Sequence, residues 1–347
     1  MNQIIIVGNT SEFYHLGAIL IRASKILNID IIESDNNTVK YAPSMSSVLG
    51  KGFFRIAKKR PFEWWKFNRN LINQIQEHRP NLVLVTGIFP LTQEVFVTCN
   101  SLKIPIVNYL TDSPWSPQNY HEIFQMNLSN YDLILSTKKD LVPDLIMNGC
   151  KQVKFLPFAY DPMYHYLPDQ SNSNLEEEPN LADVCLVGGA DRDRINFVKD
   201  FLADYKGSLK LYGAYWDRER ILRNFCKGTI FGEEFRQTIY GSKLNLGVVR
   251  RANKDGHSMR SYEIPACGGI GIYEDTSEHR DLFKDYPDYG FFTSPTDLAE
   301  KCNWLIQHPV ERENMRQLGI QTIMSGSNTY SDRIKTILEW AIPCVKL

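Results

Sequence analysis

Leu244 to Glu274 reads LNLGVVRRANKDGHSMRSYEIPACGGIGIYE. Leu244–Val249 is a short apolar run that predicts a buried strand, and a polar loop follows it through His257. Ser258–Cys267 then predicts a helix, because Gly268 and Gly269 are residues that release a chain from a helix end, and Ile270–Tyr273 reads as the next strand. Strand, loop, helix and strand in one short stretch make a βα unit of a parallel sheet.

The unit repeats in both directions. Upstream in the same half, Val184–Val187, Leu209–Tyr212 and Thr229–Phe231 read as strands with helical stretches between them. In the first half, strands are expected at Ile4–Val7, Ile29–Ile32, Leu82–Thr86, Ile104–Tyr109, Leu133–Ser136 and Val153–Phe158. Helices are expected at Tyr14–Leu27, Trp64–His78, Leu91–Leu102 and Lys138–Asn148, and again at Thr296–His308, Pro309–Met324 and Tyr330–Ala341. Between the two series, Pro168–Asn180 (PDQSNSNLEEEPN) carries four acids, no bases and almost nothing apolar, so it reads as a linker or surface loop. The expected organisation is α/β: two tandem Rossmann-like, doubly wound domains facing a central cleft, over 1–160 and 181–327, joined by a linker at 161–180. The C-terminal helix within 328–347 is expected to pack back on the first domain. Open parallel sheets bind ligands at the carboxyl ends of their strands, so this organisation suits a two-substrate enzyme.

Composition agrees. The 347 residues suffice for two cores, and 43% hydrophobic with 23% charged residues is ordinary for a folded chain. A net charge of -1 provides no overall field toward nucleic acid or a membrane. The seven cysteines are scattered without a C-x-x-C pair, which fits neither a disulfide framework nor a zinc cluster, and the histidines never reach metal-ligand spacing. No metal site is expected. Without a leader pattern or an apolar run long enough to cross a bilayer, a cytoplasmic protein is expected.

The loop of the opening stretch carries the chemistry. Backbone N–H groups from Gly256 to Met259 open the expected helix, and a helix N-terminus with its partial positive charge is a seat for phosphate. Arg250, Arg251, Lys254, His257 and Arg260 add cations enough to neutralise a diphosphate, and Glu263 is placed to accept hydrogen bonds from a ribose diol. The same cations also read as a solvated loop, and Glu263 as an exposed helix residue. Against the latter, Tyr262, Ile264, Pro265 and Ala266 surround Glu263 with apolar neighbours, and a buried carboxylate needs a partner.

His257 to Gly269 resembles the donor-binding signature of GT-B glycosyltransferases of the family 4-like group, and more closely the CgeB-type subgroup, H-S-x-R-x-Y/F-E-I-P-A-C-G-G. The resemblance implies that Glu263 holds the nucleotide ribose and that the Gly256–Ser258 backbone cradles the diphosphate, with Arg260 beside it. The group's E-x7-E pattern appears as Asp255 and Glu263, which implies that Asp255 approaches the donor sugar. Ser258 replaces the second glycine of the usual loop. Val184–Arg194 (VCLVGGADRDR) resembles the first strand and Gly-rich turn of the donor domain, nominating Gly188, Gly189, Arg192 and Arg194 for the diphosphate. Thr229–Gly232 (TIFG) resembles the turn that contacts the nucleobase, nominating Phe231 and Gly232. In the first half, IPIVNYLTDSPW puts Asp112 just beyond a strand, where related enzymes often carry His-Asp and this chain has Thr111-Asp112. Asp112, Asp255 and His257 are the expected catalytic residues.

The resemblance implies a metal-independent glycosyltransferase, retaining at the anomeric carbon, that moves a sugar from a nucleotide-diphosphate sugar to an acceptor hydroxyl without a bound cofactor. A non-catalytic nucleotide-sugar-binding or scaffold protein and a nucleotide-sugar epimerase share fold and ligand. Lys51–Asn70 (KGFFRIAKKRPFEWWKFNRN) has seven bases, one acid and interleaved aromatics. It reads as an amphipathic helical pair with its aromatics in the core, as a segment docking on anionic lipid at the membrane periphery, or as a recess for an anionic or lipid-linked acceptor. No nucleic-acid motif accompanies it.

Overall fold

The structure is a computed structural model and describes residues 3–39, 52, 63–168 and 182–341. The chain divides into two units, Met1–Pro157 with Tyr330–Leu347, and Phe158–Thr329. Each is built around a parallel sheet.

The first sheet has six strands: β1 (Gln3–Gly8), β2 (Asp30–Asp35), β3 (Leu82–Thr86), β4 (Ile106–Leu110), β5 (Leu133–Ser136) and β6 (Val153–Phe155), in the order β2-β1-β3-β4-β5-β6. Among the described residues its helices are α1 (Leu16–Ile26), α2 (Trp64–His78), α3 (Gln93–Ser101), α4 (Glu122–Met126) and α5 (Val142–Met147). Strands covered on both faces can be apolar throughout, and Ile4, Ile5, Ile6 and Val7 are all buried, as are Leu82 to Val85. In α2, Phe67, Leu71 and Ile75 turn inward while Trp65 is exposed, which is an amphipathic helix at the end of the basic stretch. Residues 51 and 53–62 of that stretch lie outside the described residues.

The second sheet has five strands: β7 (Ala182–Val187), β8 (Leu209–Tyr212), β9 (Ser242–Gly247), β10 (Gly271–Glu274) and β11 (Phe291–Phe292), in the order β11-β10-β9-β7-β8. Its helices are α6 (Arg192–Asp204), α7 (Gly232–Gly241), α8 (Arg260–Ala266), α9 (Ser277–Leu282), α10 (Pro295–Ile306) and α11 (Pro309–Met324); α12 (Tyr330–Ala341) belongs to the first unit. There Ser331 Oγ donates to the Ala23 carbonyl of α1 and Arg333 Nε to the Pro157 carbonyl. Strand order reverses between β7 and β9, so loops leaving these adjacent strands part company and open a crevice at their carboxyl ends.

Two expectations shift. Thr229–Phe231 is not a strand: the chain touches β8 at Cys226, in an isolated bridge to Leu211, and Gly228 at φ +81° then turns it away. The passage between units falls at Pro157–Phe158 rather than within 161–180. Asp161 and His165 are buried in the second unit, where the Asp161 N–H donates to His165 Nδ1 at 3.2 Å. Of the acidic stretch, residues 169–180 lie outside the described residues.

Candidate functional site

The reversal between β7 and β9 gathers most of the nominated residues. β7 ends in the Gly188–Gly189 turn, and β9 runs into Val248–Met259 ahead of α8. Arg194 ties the two loops together. Its Nη1 donates to the Gly189 carbonyl at 3.2 Å and its Nη2 to the Val248 carbonyl at 2.5 Å, while Asp191 caps α6 by accepting from the Arg194 N–H at 2.9 Å. Burial pushes the Arg194 guanidinium down to about 10, and its neighbours Arg250 and Arg260 push the same way. Three guanidinium groups therefore crowd one glycine turn. Arg192, in the first turn of α6, is exposed.

Glu263 is 2% exposed, so the apolar neighbours that marked it out do enclose it. Its Oε2 accepts from Arg260 Nη1, and its Oε1 lies 3.7 Å from His165 Nε2. Because His165 Nδ1 is an acceptor, the proton sits on Nε2 and faces the carboxylate. Arg260 reaches further: its Nε donates to the Val187 carbonyl at 3.0 Å and its guanidinium carbon lies 4.7 Å from the Phe235 ring centroid. Helix α8 is thus pinned to the end of β7 by the same arginine that holds its carboxylate. The helix starts at Arg260, two residues later than the sequence suggests, since its first i→i−4 bond runs from the Glu263 N–H to the Met259 carbonyl at 3.0 Å; the Ser258 N–H ahead of it is met by Ser261 Oγ at 3.1 Å. It ends in a Schellman closure, with the Gly268 and Gly269 N–H groups on the Pro265 and Ile264 carbonyls and Gly268 at φ +74°.

His257 takes a different place from the one expected. It is 2% exposed, its Nε2 accepts from the Phe158 N–H at 3.2 Å, and its Nδ1 pairs with buried Glu278 Oε2. Both ring nitrogens are therefore engaged inside the protein, and the imidazole joins the loop before α8 to Phe158 and to Glu278 of α9. Asp255 also serves its own loop: Oδ1 accepts from Asn253 Nδ2 at 2.8 Å and Oδ2 from the Arg250 N–H at 3.4 Å. A side chain at Gly256 would put its Cβ 2.4 Å from Glu278 Cδ, so that glycine is dictated by close packing. Phe231 is half-exposed at the start of α7, and Gly232 holds φ +61°, the left-handed region that glycine adopts freely.

Asp112 belongs to the first unit, beyond the end of β4. Thr111 Oγ1 donates to Asp112 Oδ2 at 3.0 Å, and buried Lys138 Nζ donates to the Thr111 carbonyl at 2.7 Å. Sequence reading missed Lys138, His165, Glu278 and His279. All four sit far along the chain from the residues they support, and none lies in a recognisable spacing.

Among the described residues, no group of His, Cys, Asp or Glu side chains is arranged to hold a metal, and no helix is long and apolar enough to cross a membrane. A glycosyl transferase-like family profile matches residues 193–339. Over nearly its whole length the chain superposes on solved structures. The sucrose-phosphate synthase of Thermosynechococcus elongatus has a TM-score of 0.65 at 12% identity, covering 99% of this chain and 100% of that one. The fold is GT-B. The Anabaena HepE structure in complex with UDP and glucose matches this GT-B chain with a TM-score of 0.64 at 13% identity, over 98% of this chain and 100% of that one. A putative UDP-N-acetylglucosamine 2-epimerase from Listeria monocytogenes follows at 0.53 and 12% identity, over 97% and 95%. No curated protein matches the GT-B chain.

Proposed function

We propose that this chain is a glycosyltransferase that binds a nucleotide-diphosphate sugar in its second unit and transfers the sugar to an acceptor hydroxyl presented by its first. One observation carries the reading. Glu263 is a buried carboxylate at the β7–β9 reversal, in a segment resembling the CgeB-type donor signature and inside the span of the glycosyl transferase-like match. A carboxylate enclosed by apolar residues and held by an arginine is preorganised to accept two hydroxyl donors, as a ribose diol offers.

The rest of the site suits the other end of such a donor. The Gly188–Gly189 turn leaves its backbone bare for close approach, and Arg250 and Arg260 stand beside buried Arg194 as fixed positive charge. As the bond between sugar and phosphate lengthens, negative charge grows on the departing diphosphate. Cations held in place before reaction lower that barrier without reorganising, the task a metal ion performs in other transferases. Asp112, steadied through Thr111 and Lys138, is the group in the first unit that would orient the acceptor hydroxyl. Retention of anomeric configuration and metal independence are part of the proposal.

Calorimetry with UDP, GDP, ADP and dTDP tests it. The wild-type chain should bind at least one, and Glu263→Gln, which keeps the shape but loses the charge, should weaken that binding at least tenfold with little change in fold. Transfer from the matching nucleotide sugar should persist in excess EDTA. Equal affinity in Glu263→Gln would overturn the ribose assignment, and a strict manganese requirement the metal-free one.

A further inference from the structure

Among the described residues, five that are not glycine have positive φ: Asn28, Arg79, Lys103, Tyr215 and Lys254. The first three end helices, and Lys254 ends a short turn of 3-10 helix. Tyr215 is different. It lies beyond the carboxyl end of β8, at φ +75° and ψ 0°, where a bulky aromatic side chain is strained, and it is 52% exposed. Glycine would adopt this conformation freely.

Its neighbours explain the position. The residue before it, Ala214, accepts the Ala190 N–H at 2.9 Å, and the residue after it, Trp216, donates its indole Nε1–H to the Gly188 carbonyl at 2.8 Å. Both flanking residues thus clamp onto the glycine turn at the end of β7, and the tyrosine is held out between them. Gly213 permits the approach: a Cβ there would fall 2.5 Å from the Gly188 carbonyl oxygen. One face of the ring carries the Arg218 guanidinium, its carbon 3.9 Å from the centroid. The adjoining segment leads to Phe231: the Gly213 N–H bonds to the Gly228 carbonyl, and the half-exposed Phe231 follows three residues on.

We infer that Tyr215 is a stacking platform for the aromatic base of the nucleotide, backed by Arg218 on its other face. This rests on the donor-binding reading above and adds a residue that reading does not use. An exposed ring whose backbone strain is maintained beside the Gly188–Gly189 turn offers an aromatic base a flat apolar surface. Stacking of this kind tolerates different bases, so Tyr215 should contribute affinity more than base choice.

The test sets stability against binding. Tyr215→Gly removes the strain and should raise the thermal unfolding midpoint, while weakening the nucleoside diphosphate that binds wild-type best by about tenfold or more. Tyr215→Phe should retain the affinity. Inorganic pyrophosphate, which has no base, should bind wild-type and Tyr215→Gly alike. Wild-type affinity for the nucleotide in Tyr215→Gly overturns the platform but leaves the donor site standing. A wild-type chain that binds none of the four nucleotides overturns both.

Discussion

A relay of hydrogen bonds sets the shape of the loop before α8. The Ser258 N–H donates to Ser261 Oγ, Ser261 pairs with His279 Nε2 at 2.8 Å, and His279 Nδ1 pairs with the Glu274 carbonyl at 2.7 Å. A carbonyl can only accept, so the imidazole proton sits on Nδ1 and the serine hydroxyl donates to Nε2. Burial pushes the His279 imidazole down to about 4, although the carbonyl bond favours the charged form. The unfolded chain therefore binds this proton more tightly than the folded one. Stability contributed by neutral His279 is complete above the unfolded value near 6.5 and is lost as pH falls toward 4, a change of about 3 kcal/mol. Guanidinium unfolding between pH 7 and pH 4 should show this loss in wild-type, and His279→Gln should have a slope shallower by about one proton despite lower overall stability. Glu263 was legible in the sequence because its own neighbours are apolar. His165 and His279 were not, because each meets α8 only through the folding of distant segments.

Helix α8 is seven residues long, and its position is dictated by what surrounds it. Pro265 withholds one N–H and the Gly268–Gly269 closure ends it, while the loop before it is wedged against α9 by Gly256 and buried Glu278. Gly256→Ala forces a Cβ into the Glu278 carboxyl group, which is itself paired with His257 and has no exposed space to retreat to. We expect a loss of about 1–3 kcal/mol in urea unfolding, the usual cost of overpacking, together with weaker nucleotide binding because the loop is displaced. The strand-loop-helix-strand order of this unit was readable from hydrophobic runs and paired glycines. The start of α8 was not, since it depends on the Tyr262 and Glu263 N–H groups both turning to the Met259 carbonyl, and the false strand at Thr229–Phe231 arose because a β-branched run says nothing about Gly228 turning the chain.

Each unit of the whole molecule repeats one plan, a parallel sheet whose strand order reverses beside β1 in the first and β7 in the second. That plan was visible in the alternation of short apolar runs with amphipathic stretches. The passage between units was not: Leu156 to Tyr160 is apolar on both sides of Pro157, whereas the acidic stretch downstream draws attention by composition alone. Helix α12 buries Ile334 and Ile337 in the first unit alongside α1. A chain ending at Thr329 should therefore lose protection from hydrogen exchange in α1 and β1 while β7, β9 and α8 keep theirs. Equal loss in both units would refute that division.

The bond from Ser331 to the Ala23 carbonyl spans 308 positions of the chain. During synthesis the first sheet can pair its strands early, but α1 keeps an uncovered apolar flank until a helix made some three hundred residues later returns to it. Such long-range closure slows folding, because the entropy of the intervening loop must be lost before the contact rewards it. The first unit to emerge is thus the last to be finished, and the second can fold to completion while its predecessor waits.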